Sequence, residues 1–136
     1  MPYLKERRLF ISHAWDYSAH YNTVKEWLDE LPYFTWSNYS IPIEKALDVN
    51  SKRELKQRIT NKIEQIHCLI VFAGMYSAHS EWIDYEIDEA VRLGKPIIGV
   101  RPQAQERVPV KITTYANVMV YWNRNSLLEA IRQCTQ

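Results

Sequence analysis

The sequence predicts an α/β fold of the flavodoxin-like type: a three-layer sandwich around a five-stranded parallel sheet in the order 2-1-3-4-5. Three observations carry this. Short apolar, β-prone runs recur five times along the 136 residues. Segments of helical periodicity separate them in strict alternation, which demands a parallel sheet with helices on both faces. The run "HCLIVFAG" (His67 to Gly74) is apolar throughout, as in a central strand covered on both sides. Right-handed crossovers then select the strand order. The length suits a single domain over residues 1–136 with a core of its own.

The elements follow in order. In "RRLFISHAW", Leu9 to Ile11 form a short strand that ends in small polar residues. Tyr17, Tyr21, Val24, Leu28 and Leu31 fall on one helical face, with Asp16 as cap and Pro32 as stop. "YFTW" (Tyr33 to Trp36) is the second strand, and "SNYSIPIEKALDVN" holds no period and reads as a loop. Ser51 and Glu54 make a capping box for a helix striped with Leu55, Ile59, Ile63 and Ile66. The third strand is the His67 to Gly74 run. "MYSAHS" reads as a polar loop, and Ser80 caps a helix with Ile83, Ile87, Ala90 and Val91 inward and Gly94 at its end. "PIIGV" (Pro96 to Val100) is the fourth strand. Pro102 and Pro109 punctuate a loop before a short helix over Val110 to Tyr115. "NVMVYW" is the fifth strand, and a last helix turns Leu127, Leu128 and Ile131 inward.

Composition narrows the function classes. Net charge is +1 with acids and bases interleaved, so no basic stripe offers a footprint for nucleic acid. No apolar run reaches membrane-spanning length, and the charged start "MPYLKERRLF" lacks a signal-peptide core. The two cysteines, Cys68 and Cys134, show no CxxC or Cys/His ligand spacing, so no metal site is expected. Cys68 reads as a small buried hydrophobe, and the chain as a cytoplasmic protein with reduced thiols.

In an open parallel sheet a ligand binds beyond the carboxyl ends of the strands, at the switch point between strands one and three. Here that rim is predicted to consist of "SHAWDY", "SNYSIP" and "GMYSAHS". Aromatic rings and small hydroxyls in these loops suit a planar ring carrying ribose or phosphate. Beside the rim lies "SEWIDYEIDEA" (Ser80 to Ala90), with five acids among eleven residues. Helical phase sorts them. Asp84 and Asp88 face away from Ile83 and Ile87. Glu81 favours the helix N-terminus. Glu89 is ambiguous. Trp82 and Glu86 are i, i+4 and share a face next to the buried stripe, which places Glu86 at the core's margin.

"LFISHAWD", "CLIVFAGMYSAHSEWIDYEIDEAVRLGKPIIGV" and "VMVYWNRNSLLEAIR" together resemble a TIR domain, specifically the compact prokaryotic TIR-like proteins of the ThsB type from Thoeris anti-phage defence. The resemblance covers nearly the whole chain. Its most specific parts are F-I-S-H-x-W-D after strand one and S-x-W-I-x-x-E-I with G-K-P-I-I-G-V after it. Enzymatic TIR domains cleave NAD between nicotinamide and ribose, and the resemblance makes Glu86, the glutamate of W-x-x-x-E, the catalytic residue. It further implies Ser12, His13, Trp15 and Asp16, then Trp36, Asn38 and Tyr39, then Met75, Tyr76 and Trp82 as substrate-binding residues. NAD is substrate rather than cofactor. The implied product is an ADP-ribose-derived signal, a cyclic ADP-ribose isomer, acting on a separate effector protein, with self-association on activation. The loop after strand two, "SNYSIPIEKAL", lacks the Arg-Asp and Pro-Gly of adaptor TIR domains.

One carboxylate suffices for this chemistry. Nicotinamide departs as a neutral molecule from a cationic pyridinium, so no general acid is needed, and an anion stabilises the oxocarbenium-like ribose left behind. Glycosidases need a second carboxyl to protonate a leaving alkoxide. Two other readings stand beside it: a TIR scaffold that only binds proteins, and a nucleoside deoxyribosyltransferase-like enzyme, which would need a carboxylate to orient the base for which the sequence offers no clear candidate. A phosphoryl-accepting receiver domain does not fit, because strand three ends in "FAGMY" without an aspartate.

Overall fold

Five parallel strands in the order β2-β1-β3-β4-β5 form the centre of the molecule. The computed structural model describes residues 6–12, 19–31, 34–40, 51–101 and 108–135. The strands are β1 (Glu6–Ile11), β2 (Thr35–Asn38), β3 (Cys68–Phe72), β4 (Ile97–Val100) and β5 (Val118–Val120). Between and after them run α1 (Ala19–Asp29), α2 (Lys52–Ile63), α3 (Tyr76–Arg92), α4 (Val110–Tyr115) and α5 (Arg124–Cys134). A short 3-10 turn, Ala73–Met75, joins β3 to α3. The fold class and strand order are those the alternating pattern predicts.

Alternation along each strand splits the core into two layers. Leu9, Ile11, Cys68, Ile70, Phe72, Ile98 and Val100 face Val24 and Leu28 of α1 and Leu127, Ala130 and Ile131 of α5. Phe10, Leu69, Val71 and Ile97 face Leu55, Ile59 and Ile63 of α2, Ile83, Ile87 and Ala90 of α3, and Ile112 of α4. Every residue of β3 is buried, as a strand covered on both faces must be. Each fully buried Leu, Ile or Phe contributes roughly 1.5–3 kcal/mol of transfer free energy. On the first layer Trp122 stacks at a tilt on Trp27 (5.1 Å between centroids) and edge-on to Phe72 (6.0 Å).

Local chemistry sets the element ends. Ser51 caps α2, its hydroxyl accepting from the Glu54 N–H at 3.1 Å. Asn123 caps α5 in the same way through the Ser126 N–H at 2.9 Å. Gly94 sits at φ 71 beyond α3, where the Lys95 N–H donates to the Ala90 carbonyl and the Gly94 N–H to that of Val91. That pairing is a Schellman stop, and the left-handed residue in it favours glycine. Gly99 leaves room on β4 for the Met119 thioether to cross.

Several predicted boundaries move. β2 begins and ends two residues later than the Tyr33 to Trp36 reading, and β5 is shorter than "NVMVYW". Ile66 is buried but follows α2 instead of lying within it. Val91, predicted inward, is 47% exposed. The largest correction concerns α3. Its helix starts at Tyr76, so "YSAHS" is helical and Ser80 is an internal residue, not a cap. Glu81 therefore lies beyond the first turn, where the helix dipole has faded. It pairs instead with Lys52 of α2 at 2.5 Å, and the Lys52 hydrogen bond holds its carboxyl below the usual range. Asp88 is exposed and binds Lys111 of α4 at 2.7 Å. The assigned cap Asp16 and stop Pro32 of α1 fall outside the described residues.

Glu89, ambiguous by helical phase, braces α2 against α3. Its carboxylate accepts from Thr60 at 2.7 Å and from two nitrogens of Arg92 at 2.9 Å each. Tyr85 joins this cluster through Thr60 and the Lys56 carbonyl. The Arg92 hydrogen bond, aided by Thr60, holds the Glu89 carboxyl below its ordinary value. A depressed carboxyl contributes stability above its unfolded value near 4.5 and loses that contribution as pH falls through the folded value. Replacing Glu89 by Ala should cost about 1–2 kcal/mol in urea unfolding at pH 7. The deficit should shrink as the medium is acidified to about pH 3. A deficit that is the same at both pH values would show that the ionised carboxylate is not its source.

Candidate active site

The end of β1 creates the site. Ile11 is level with Ile70 in the sheet register, whereas β3 continues for two more residues, to Phe72 beside Val100 of β4. The carboxyl end of β1 is thus recessed, which leaves a notch at the switch point of the sheet. Ser12 is the first residue past the strand, and its N–H still donates to the Ile70 carbonyl at 2.8 Å. That bond fixes the Ser12 backbone while its side chain is released from the pleat.

Beneath this notch lies Glu86. It sits on α3 between Ile83 and Ile87, both buried against the sheet, and so it is turned inward with them. Its exposure is 0%, deeper than the core-margin place that helical phase assigns. Glu86 lies ten residues after Tyr76, near the middle of α3, in the same buried stretch as Ile83, Ile87 and Ala90. A buried carboxyl is costly unless hydrogen bonds replace water. Ser12 supplies one, its hydroxyl donating to Glu86 Oε1 at 2.5 Å. That length belongs to the short range of hydroxyl–carboxylate bonds. A buried ionisable group at the switch point of an α/β sheet is where functional carboxylates are found.

A polar chain leads from the outer edge to this pair. Tyr39 N–H donates to the Leu9 carbonyl at 2.8 Å, continuing the β1–β2 ladder past Asn38. At the next step the Ser40 hydroxyl accepts from the Ile11 N–H at 2.8 Å, taking the place of a backbone carbonyl. The Ser40 N–H donates to Asn38 Oδ1 at 3.0 Å, and Asn38 Nδ2 donates to the Tyr21 hydroxyl at 2.8 Å. Tyr21, Asn38 and Ser40 thereby hold the last residue of β1, and Ser12 follows it. Ser40 is buried and was not among the predicted site residues; its signal in the sequence is a small hydroxyl just past a strand.

The family model described as the Thoeris protein ThsB TIR-like domain matches residues 10–107, more than half of the chain. The chain belongs to this family. The matched stretch contains β1 from Phe10, Ser12, β3, α3 with Glu86, and β4. Among solved structures this ThsB-type domain is similar to the Clostridium botulinum CMP N-glycosidase BcmB, with a TM-score of 0.61 and 18% identity over 93% of this chain and 99% of that one. At that identity the likeness speaks for the fold. No curated protein matches the chain.

The remaining predicted residues of this ThsB-type domain are placed as follows. Trp82 is half-buried against the α2–α3 layer, one turn before Glu86 on the same helix. Tyr39 is half-buried in that layer with Lys62 Nζ 5.3 Å from its ring centre. Asn38 is engaged by Tyr21 and Ser40, as described. Trp36, predicted to end strand two, lies inside β2, which runs on to Asn38; its indole N–H donates to Asp29 at the end of α1, 2.9 Å away. Met75 ends the 3-10 turn and Tyr76 opens α3. His13, Trp15 and Asp16 lie outside the described residues. Among the described residues no group of three or more His, Cys, Asp or Glu could hold a metal ion, and no helix is long and apolar enough to cross a membrane.

Proposed function

We propose that this domain is a TIR-family NAD-processing enzyme that cleaves the nicotinamide–ribose bond, with Glu86 as its catalytic residue. The supporting observation is the buried Glu86 carboxyl at the switch point, held by the Ser12 hydroxyl. Its geometry suits the chemistry. A carboxylate set against the ribose stabilises the oxocarbenium-like centre as neutral nicotinamide leaves, and a site without bulk water makes that charge pairing stronger. Ser12 fixes one carboxylate oxygen, so the anion is oriented before the reaction begins. When the attacking group belongs to the same molecule, the product is a cyclic ADP-ribose isomer; when it is water, the product is ADP-ribose. The proposed product is the cyclic isomer, a signal to a separate effector in anti-phage defence, with self-association completing the site.

A second reading rests on the fold shared with a CMP N-glycosidase. There the bond joins ribose to cytosine, a neutral base that leaves readily only when protonated, so a proton donor is required as well. Incubation with NAD and with CMP in parallel, followed by chromatography and mass spectrometry, separates the two. NAD loss with release of nicotinamide is expected, carried out at high protein concentration so that self-association can occur. Cytosine release with NAD intact would replace the NAD reading with the second one.

A further inference from the structure

The two cysteines are distant in sequence and meet in the fold. Cys68 opens β3 and is fully buried on the α1–α5 face. Cys134 is the last residue of α5 and is half-buried against the same core. The next residue, Thr135, is buried and fixes this corner: Arg7 Nε donates to its hydroxyl at 2.9 Å, and that hydroxyl donates to the Ile131 carbonyl at 2.6 Å. Arg7 and Leu9 lie on one face of β1, and Leu9 is the register partner of Cys68. The end of α5 is therefore fastened beneath the first residue of β3, which sets Cys134 beside Cys68, whose thiol donates to the Leu69 carbonyl at 3.6 Å.

We propose that Cys68 and Cys134 form a redox modification site, a dithiol that hydrogen peroxide converts to an internal disulfide and that small thiols restore. Cys134, the more exposed, attacks a peroxide oxygen as thiolate. The O–O bond breaks, one oxygen leaves and takes up a proton to become water, and Cys134 becomes a sulfenic acid. The Cys68 sulfur then attacks the Cys134 sulfur; the S–S bond forms, the S–O bond breaks, and the departing hydroxyl leaves as water with the Cys68 proton. One peroxide is reduced to two waters and two thiols are oxidised. The pair is polarised for this order of events. The neighbouring Cys68 thiol lowers the Cys134 thiol from 9.0 to about 7, while Cys134 and burial push Cys68 well above 9.0.

The test uses the whole chain with hydrogen peroxide, then denaturation in iodoacetamide and mass spectrometry. Loss of both alkylatable thiols is expected, with a Cys68–Cys134 linked peptide that dithiothreitol separates. In the untreated native protein Cys134 should alkylate with a half-maximal rate near pH 7 while Cys68 resists. In Cys68→Ala the Cys134 midpoint should move upward, and peroxide should leave a sulfenic acid that dimedone traps. The wild-type peptide map stands even if that variant fails to fold. Two thiols still alkylatable after peroxide, or a link only between Cys134 residues of two chains, would overturn the proposal.

Discussion

Glu86→Gln is expected to lower NAD cleavage by about 100- to 1000-fold, the range seen when one group that stabilises developing charge is removed. The substitution keeps the shape of the side chain and an oxygen that accepts from Ser12, but it removes the charge that the proposed mechanism sets against an oxocarbenium-like ribose. Stability should respond in the other direction. Glu86 is fully buried, and taking a carboxylate out of water costs several kcal/mol that its hydrogen bonds only partly return. Glu86→Gln should therefore melt no lower than wild type, and a Leu substitution of similar volume should melt higher. A site group kept at the expense of stability gives this signature, whereas a structural group gives the opposite one. Equal turnover in wild type and Glu86→Gln would remove Glu86 from the chemistry. Unfolding of both variants would assign it to the scaffold.

How far the sequence speaks for the structure depends on the period of each signal. The order of elements was legible because it rests on repeated features: a fully apolar β3, and stripes such as Leu55, Ile59 and Ile63 that recur over several turns. The ends were less so. "YSAHS" lacks apolar spacing and carries serines, so it reads as loop, yet it continues α3 backward, with Ile83, Ile87 and Ala90 of the same helix packed against the sheet. Tertiary packing outweighs local propensity there. The same displacement makes Glu86 a central helix residue and not a residue of the second turn. Helical phase depends only on spacing, so it still placed Glu86 beside the buried stripe.

Within the candidate site, the Ser12–Glu86 contact joins two predicted residues, whereas other residues that hold the end of β1 lay beyond the sequence signals. Ser12 and Glu86 stand in the most specific of the motifs, and the fold brings them to 2.5 Å. Ser40 and Tyr21 could not be found in this way. Their role depends on the edge strand ending at Asn38, two residues past the predicted limit, and on a side chain standing in for a backbone acceptor. Trp36, the last residue of the predicted strand, becomes an interior strand residue for the same reason. A shift of this size moves every assignment made from a loop's first residues, while an assignment made from helical phase survives it.

Ser12→Ala is expected to separate positioning from substrate contact. The hydroxyl is 2% exposed at the residue level and is spent on Glu86 Oε1, so its removal acts on the carboxylate first. Loss of a hydrogen bond to a charged group removes about 1.5–3 kcal/mol, which corresponds to a fall of about 10- to 100-fold if the oriented carboxylate is what the transition state uses. The fall should appear in kcat, with KM changed little, because the anion interacts most strongly with the charge that develops as nicotinamide departs. Ser12→Thr retains the hydroxyl and should recover most of the rate. The neighbouring Ser12 N–H to Ile70 bond is a backbone bond and persists in both variants, so the end of β1 stays in place. A rise in KM with kcat unchanged would make Ser12 a substrate contact instead. A loss in Ser12→Ala that Ser12→Thr does not restore, accompanied by lower thermal stability in both, would place its role in packing at the end of β1.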